Sequence, residues 1–107
     1  MSLPVVKDTN GAEVWNLLLF VAGKNNPRSQ VAYSNLKRIC EEHLPNARYT
    51  IEIVDIAANP QVAAKEQIIA IPALLRNAPP PKRRIIGDLS DTFRVLVSLG
   101  IQPLQSI

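Results

Sequence analysis

Cysteine and histidine are nearly absent from this chain of 107 residues, which has one of each, Cys40 and His43. A lone cysteine cannot form an internal disulfide, and such a chain fits a reducing compartment. A lone histidine leaves too few nitrogen and sulfur ligands for a zinc centre. We therefore expect a domain that folds without disulfides or metal.

The sequence also lacks a long apolar run. No stretch approaches the ~20 residues that a membrane-spanning helix needs. The first residues carry no basic region, apolar stretch or cleavage site typical of a secretory signal. We expect a cytoplasmic protein that does not enter membranes, with a flexible leader over residues 1–13 and a single domain over residues 14–107.

Recognisable catalytic motifs are missing as well. The chain has no phosphate-binding glycine loop, no nucleophile elbow and no convergent pair of carboxylates. Asp55 ends an apolar run, but a single acid there is more often a turn residue. We predict a binding protein that is not an enzyme and has no catalytic residues, cofactor or metal.

Proline and positive charge are concentrated in one segment. After an apolar run containing Pro72 come three consecutive prolines, Pro79–Pro81, then the basic triplet Lys82–Arg84, a second apolar run and Gly87-Asp88. Three successive prolines cannot lie inside a helix or a central strand, because each fixes φ and lacks a donor. The segment predicts two strands joined by a stiff elbow.

The net charge is +3, and the cations are uneven, with five between Arg76 and Arg94 against two acids. They can simply keep an exposed strand edge soluble, or they can contact an acidic protein surface. Nucleic acid fits less well, because no aromatic residues are interleaved for base stacking. We expect no nucleic-acid partner.

The periodicity predicts seven elements. Apolar and alternating runs indicate strands, and apolar residues at helical spacing indicate helices. Asn59 and Ser90 are the candidate N-caps of the second and third helices. The predicted strands are 15–22, 49–56, 73–77 and 84–87, and the predicted helices are 28–44, 59–66 and 90–99.

The resulting order, β-α-β-α-β-β-α, is that of the thioredoxin-like α/β fold. Pro72 falls where that fold has a cis-proline, so a cis Ile71–Pro72 bond is a hypothesis. Thioredoxin enzymes need a reactive cysteine at the start of the first helix. Here Gly23–Pro27 occupies that position, and Cys40 lies on the predicted apolar face, as expected for a packed thiol.

The chain resembles the KaiB family of circadian clock proteins, and the segment with the proline elbow is the most specific match. The matching segments, with Pro27, are Leu17–Gly23, Ile53–Ile56, Asn59–Gln61, Ala70–Leu75 and Pro79–Ser90. The resemblance implies a metamorphic protein with a tetrameric ground state ordered βαββααβ. It also implies a rarer, monomeric thioredoxin-like state that docks on the N-terminal ring of the hexameric ATPase KaiC. From it we expect the ground state in the isolated chain.

The resemblance implies a regulator that binds a KaiC-type ATPase and modulates its phosphorylation and ATPase state, in circadian timing or in stress response or signalling. Its partners would be that ATPase, other copies of itself as a tetramer or dimer, and a KaiA-like protein or histidine kinase. The implied partner-binding residues are Arg76, Lys82, Arg83 and Arg84. The switch and structural residues would be Pro72, Pro79, Pro80, Pro81, Gly87 and Asp88.

The chain departs from the family pattern at several places. Val31 and Gln67 stand where the family has cations, while Lys82 adds one. The last helix has Ser98 and Gly100 where the family favours glycine and aspartate, so the switch balance is expected to differ. Two alternatives stay open: an adaptor resembling the N-terminal domain of the kinase SasA, and a thioredoxin-like redox protein using Cys40.

Overall fold

The computed structural model describes residues 14–23, 25–44 and 48–101. The predicted leader, the last six residues and part of the turn after the first strand lie outside these ranges. The strands are β1 (Val14–Val21), β2 (Arg48–Asp55), β3 (Ala73–Ala78) and β4 (Arg83–Ile86). The helices are α1 (Pro27–His43), α2 (Pro60–Lys65) and α3 (Thr92–Leu99).

This βαβαββα order confirms the predicted thioredoxin-like arrangement. The expectation that the isolated chain has the βαββααβ order is wrong for this structure. Residues 92–99 are helical because Asp91 caps their start and Gly100, in the left-handed region at φ 73°, ends them. Their apolar residues Val95, Leu96 and Leu99 then share one buried face.

The four strands form one sheet in the order β2-β1-β3-β4. β1 is parallel to β2, while β3 is antiparallel to both β1 and β4. Because β1 is central, it is covered on both faces, which explains its nearly unbroken apolar sequence. The sheet leaves β2 and β4 as its two edges.

Two apolar clusters fill the two sides of the sheet. On one side α1 and α3 pack over Leu17, Leu19, Leu74 and Ile85. On the other side α2 covers a smaller cluster built on Phe20, Ala73 and Leu75. No helix within the described ranges is long and apolar enough to cross a membrane.

The first helix begins at Pro27, one residue before the predicted start, and Asn26 is its N-cap. The Asn26 side chain accepts hydrogen bonds from the backbone N–H of Arg28 at 2.9 Å and of Ser29 at 3.4 Å. Val31 has the helical spacing expected of a buried residue, but it is 47% exposed. The buried stripe runs instead through Ser29, Ala32, Leu36, Ile39 and Cys40.

Asn59 is the N-cap residue of α2, as predicted, whereas Ser90 is not the N-cap of α3. The Asn59 side chain makes no capping bond and instead donates to the Asp55 carbonyl at 3.2 Å. The cap of α3 is Asp91, whose carboxylate accepts from the N–H of Arg94 at 3.1 Å. Ser90 lies one residue before the cap, and its own N–H donates to the Asp88 carboxylate at 3.0 Å.

Candidate functional site

The basic triplet does not form one patch, because successive side chains of β4 point to opposite sides of the sheet. Arg84 pairs in register with Leu75, on the α2 side, whereas Arg83 pairs with Arg76, on the α1 and α3 side. Lys82, just before the strand, reaches towards the end of α2. The three cations therefore belong to two different surfaces.

On the α2 side, Lys82 and Arg84 are held by a buried acid, Glu66, which follows α2. The Lys82 ammonium lies 2.9 and 3.1 Å from the two carboxylate oxygens. Arg84 donates from Nε to the Glu66 carbonyl at 2.7 Å, and its Nη2 lies 3.6 Å from the carboxylate. We call these three residues the Glu66 clamp.

The clamp favours the charged form of the Glu66 carboxyl group. The hydrogen bond from Lys82 is the main cause that lowers the pKa of Glu66, with help from the charges of Lys82, Arg84 and Lys65. Burial opposes the shift and is outweighed. Two cations against one carboxylate leave a local excess of positive charge on this side of the sheet.

Two exposed isoleucines lie close to clamp residues along the chain. Ile69, three residues after Glu66, is 89% exposed, the highest value among the large apolar side chains described as exposed. Ile86 is 45% exposed and follows Arg84 by two residues, so both lie on the same face of β4. We call the Glu66 clamp together with Ile69 and Ile86 the clamp surface. It combines cations with solvent-exposed apolar side chains.

Arg76 does not lie on a surface in this structure, although the sequence placed it among the contact cations. Its side chain is buried under α3, 5.3 Å from the centre of the Trp15 ring. It donates to the carbonyls of Leu99 and Pro81. Direct partner contact through Arg76 is therefore not available in this conformation.

Arg83 remains exposed on the α3 side of β4. Its Nε stands 3.8 Å from where a Cβ on Gly100 would lie, so the guanidinium reaches the C-terminal end of α3. Of the four predicted contact cations, Lys82 and Arg84 are brought together by Glu66.

The predicted switch and structural residues lie at the ends of β3 and β4. Pro72 precedes β3, Pro79–Pro81 form the elbow between the two strands, and Gly87 and Asp88 follow β4. The N–H of Gly87, at φ 121°, donates to the Pro72 carbonyl at 2.9 Å. The Asp88 carbonyl accepts from the Asn35 side chain of α1 at 2.9 Å. The Ile71–Pro72 bond is cis, as hypothesised, and so are Ala78–Pro79 and Pro80–Pro81.

Cys40 is fully buried against the α1 side of the sheet. Burial, with a smaller contribution from the Glu41 charge, raises the pKa of its thiol to about 12. A thiol of this kind is a poor nucleophile, because the thiolate is the reactive form. The packed-thiol interpretation is confirmed by its position.

A groove of about 540 Å³ opens between α1 and the C-terminal half of β2. Its lining is Val21, Ser29, Gln30, Tyr33, Ser34 and Ile53. No carboxylate, thiol or imidazole lies among these residues. Within the described residues, no cluster of three or more metal-binding side chains occurs.

Sequence reasoning missed Glu66 altogether. A single glutamate at the end of a short helix has no distinguishing local pattern, and its partners lie 16 and 18 positions further along the chain. Only the fold brings them together.

Comparison with known proteins gives a consistent result. The KaiB domain model matches residues 18–101. The chain is 46% identical over 87 residues to the circadian clock protein KaiB3 of Synechocystis, covering 81% of this chain and 83% of that protein. It is 45% identical to the circadian clock oscillator protein KaiB of Microcystis aeruginosa, covering 79% and 80% of the two chains.

Among solved structures, the N-terminal domain of Synechococcus elongatus SasA superposes with a TM-score of 0.70 at 22% identity, covering 94% of this chain and 91% of that one. Yeast mitochondrial thioredoxin 3 superposes with a TM-score of 0.61 at 16% identity, covering 80% and 77%. At these identities, the likeness concerns the fold alone.

Proposed function

This chain belongs to the KaiB family, and we propose that it is a cytoplasmic, non-enzymatic regulator that binds a KaiC-type hexameric ATPase. Binding would modulate the phosphorylation and ATPase state of that partner, in circadian timing or in a derived stress or signalling role. The observation that carries the proposal is the βαβαββα order of the chain. The family resemblance assigns docking on the ATPase ring to this order.

The clamp surface supports a protein partner. Lys82 and Arg84 stay 43% and 38% exposed while Glu66 holds them in place, so their remaining donors point at solvent in a fixed arrangement. Cations held in this way lose little conformational entropy when they bind a carboxylate. With Ile69 and Ile86 exposed near them along the chain, the complementary surface would combine acidic and apolar groups.

The buried Cys40 supports a role without redox chemistry. Its thiol lacks both the exposure and the lowered pKa that a thioredoxin-type nucleophile needs. The turn before α1 has no sulfur either. Regulation by contact therefore accounts for the chain better than the redox alternative.

The proposal is tested by light scattering on a size-exclusion column, with the protein run alone and then mixed with a KaiC-type ATPase in ADP or ATP. We expect co-elution with the hexamer in one nucleotide state. A free peak in both nucleotides would refute the proposal and move the search to histidine kinases.

A pair of matched variants locates the contact. Ile69→Asp removes an apolar side chain from the clamp surface, and Phe93→Asp removes one that is 69% exposed on α3, on the other side of the sheet. Both sites are solvated, so neither change should unfold the protein. Ile69→Asp is expected to abolish co-elution and Phe93→Asp to leave it intact. Equal effects of the two changes would exclude the clamp surface as the site that contacts the ATPase.

A further inference from the structure

The contacts of Arg76 join three separate parts of the fold. Its side chain leaves β3 on the side where α1 and α3 pack, and it is 5% exposed. The guanidinium stacks on Trp15 of β1. Buried arginine on an aromatic face contributes both packing and a cation–π attraction.

Two backbone carbonyls accept hydrogen bonds from this guanidinium. Nη1 donates to the carbonyl of Leu99, the last residue of α3. Nη2 donates to the carbonyl of Pro81 in the elbow at 2.9 Å. The last carbonyls of a helix lack hydrogen-bond partners within the helix. Arg76 therefore supplies a donor to the end of α3 and, at the same time, to the Pro81 carbonyl of the elbow.

Gly100 leaves the space that this arrangement requires. Its φ is 73°, a backbone conformation that residues with a side chain rarely adopt. A Cβ at this position would lie 3.2 Å from Arg76 Nη1. The end of α3 thus approaches the guanidinium closely because residue 100 has no side chain.

Pro81 directly precedes Lys82, the main partner of Glu66. The elbow is therefore held from both sides of the sheet, by Arg76 at the Pro81 carbonyl and by Glu66 at the Lys82 ammonium. We propose that Arg76 is a positioning residue, which fixes the Pro81 carbonyl and so places Lys82 in the Glu66 clamp. Its effect on partner binding rests on the proposed function, whereas its effect on the clamp does not.

Lysine cannot replace Arg76 in this role. An ammonium group is a single point of charge and lacks the planar fork that reaches two carbonyls at once while it stacks on a ring. Arg76→Lys keeps the charge and loses the geometry, and Arg76→Met loses both. Arg83→Met, at the exposed residue paired with Arg76 in register, removes the same charge and is the matched control.

The test is an NMR titration of the Glu66 carboxyl in each variant. The side chains that lower the pKa of Glu66 are Lys82, Arg84 and Lys65. Neither Arg76 nor Arg83 lowers it directly, so a change in either charge alone should leave it unaltered. We expect the pKa of Glu66 to rise towards its ordinary value in Arg76→Lys and Arg76→Met, to rise likewise in the positive control Lys82→Met, and to stay unchanged in Arg83→Met. An unchanged pKa in a folded Arg76→Lys variant would overturn the proposal.

If both Arg76 variants fail to fold, Gly100→Ala provides the same test, because its methyl group crowds Nη1 while Arg76 remains in place. A Glu66 pKa unchanged in that variant would likewise overturn the proposal. Partner binding is a separate measurement, with the KaiC-type ATPase as probe. Arg76→Lys is expected to weaken it by about tenfold, which corresponds to ~1.4 kcal/mol.

The two measurements separate the two proposals. A shifted pKa with no binding even by the natural chain would refute the proposed function and leave the positioning role standing. Binding that Arg76→Lys leaves unchanged would show that the partner does not depend on the position of Lys82.

Discussion

Replacing Glu66 by glutamine should destabilise the protein in a way that depends on pH. The substitution keeps the shape of the side chain and removes the charge that Lys82 approaches at 2.9 and 3.1 Å and Arg84 at 3.6 Å. A hydrogen bond to a charged group contributes about 1.5–3 kcal/mol when buried. Solvent screening reduces this value here, because both cations are more than one-third exposed. We therefore expect a loss of about 1–2 kcal/mol at pH 7.

The pH dependence follows from the lowered pKa of Glu66 in the folded state. A carboxyl of this kind contributes stability above its unfolded pKa of about 4.3, and that stability is lost as the pH falls through the folded pKa. The difference between the two proteins should therefore be full at pH 7 and fade in strong acid.

Urea unfolding at a series of pH values measures this difference. Glu42→Gln is the control, since Glu42 is 53% exposed and its pair with Arg38 spans one turn on the surface of α1 at 3.5 Å. That change should cost less than about 0.5 kcal/mol. A loss at Glu66 that is the same at every pH, or no larger than at Glu42, would refute the account of the clamp.

Three further predictions concern the thiol, the cap and the core. With its pKa raised to about 12, Cys40 should react with a thiol reagent at pH 7.5 roughly a thousand times more slowly than free cysteine; rapid labelling of the folded protein would reopen the redox alternative. Asp91→Ala should cost about 1 kcal/mol in urea unfolding as α3 loses its cap, and a larger loss for Ser90→Ala would restore the predicted cap. Leu74→Ala, at a fully buried position of β3, should cost about 2–5 kcal/mol, whereas Ile69→Ala should stay within about 0.5 kcal/mol. Equal costs would contradict the assignment of Leu74 as buried and Ile69 as exposed.

Much of the fold was predictable because local signals agreed with it. The apolar run of β1 has the composition of a strand covered on both faces, and Pro27 begins a helix as its fixed φ favours. The proline elbow could not lie inside a helix or a central strand. The resemblance to the KaiB family rests on these same segments and is confirmed by the family match.

The choice between the two orders could not be made from the sequence, because the segments after Pro72 are short and apolar and fit either a strand or a helix. Helix caps were also ambiguous, since Ser90 and Asp91 are neighbours and both suit the position. In the structure the cap is Asp91, whose carboxylate accepts from the N–H of Arg94.

The candidate site was only partly predictable. Charge identified Lys82 and Arg84, but the alternation of β4 and the acid at Glu66 decide what these cations can do. Arg76 has the same side-chain chemistry as Arg84 and lies inside the protein. No local pattern separates a buried arginine from an exposed one when its partners are carbonyls of distant residues.

The central claim is that the chain, in its thioredoxin-like order, binds a KaiC-type ATPase ring. Association kinetics over a range of ATPase concentrations test it most directly. If the isolated chain already has the binding order, the observed rate should rise linearly with ATPase concentration. A rate that levels off at a slow plateau would show that the chain must first convert from another order, and an absence of binding at every concentration would contradict the claim altogether.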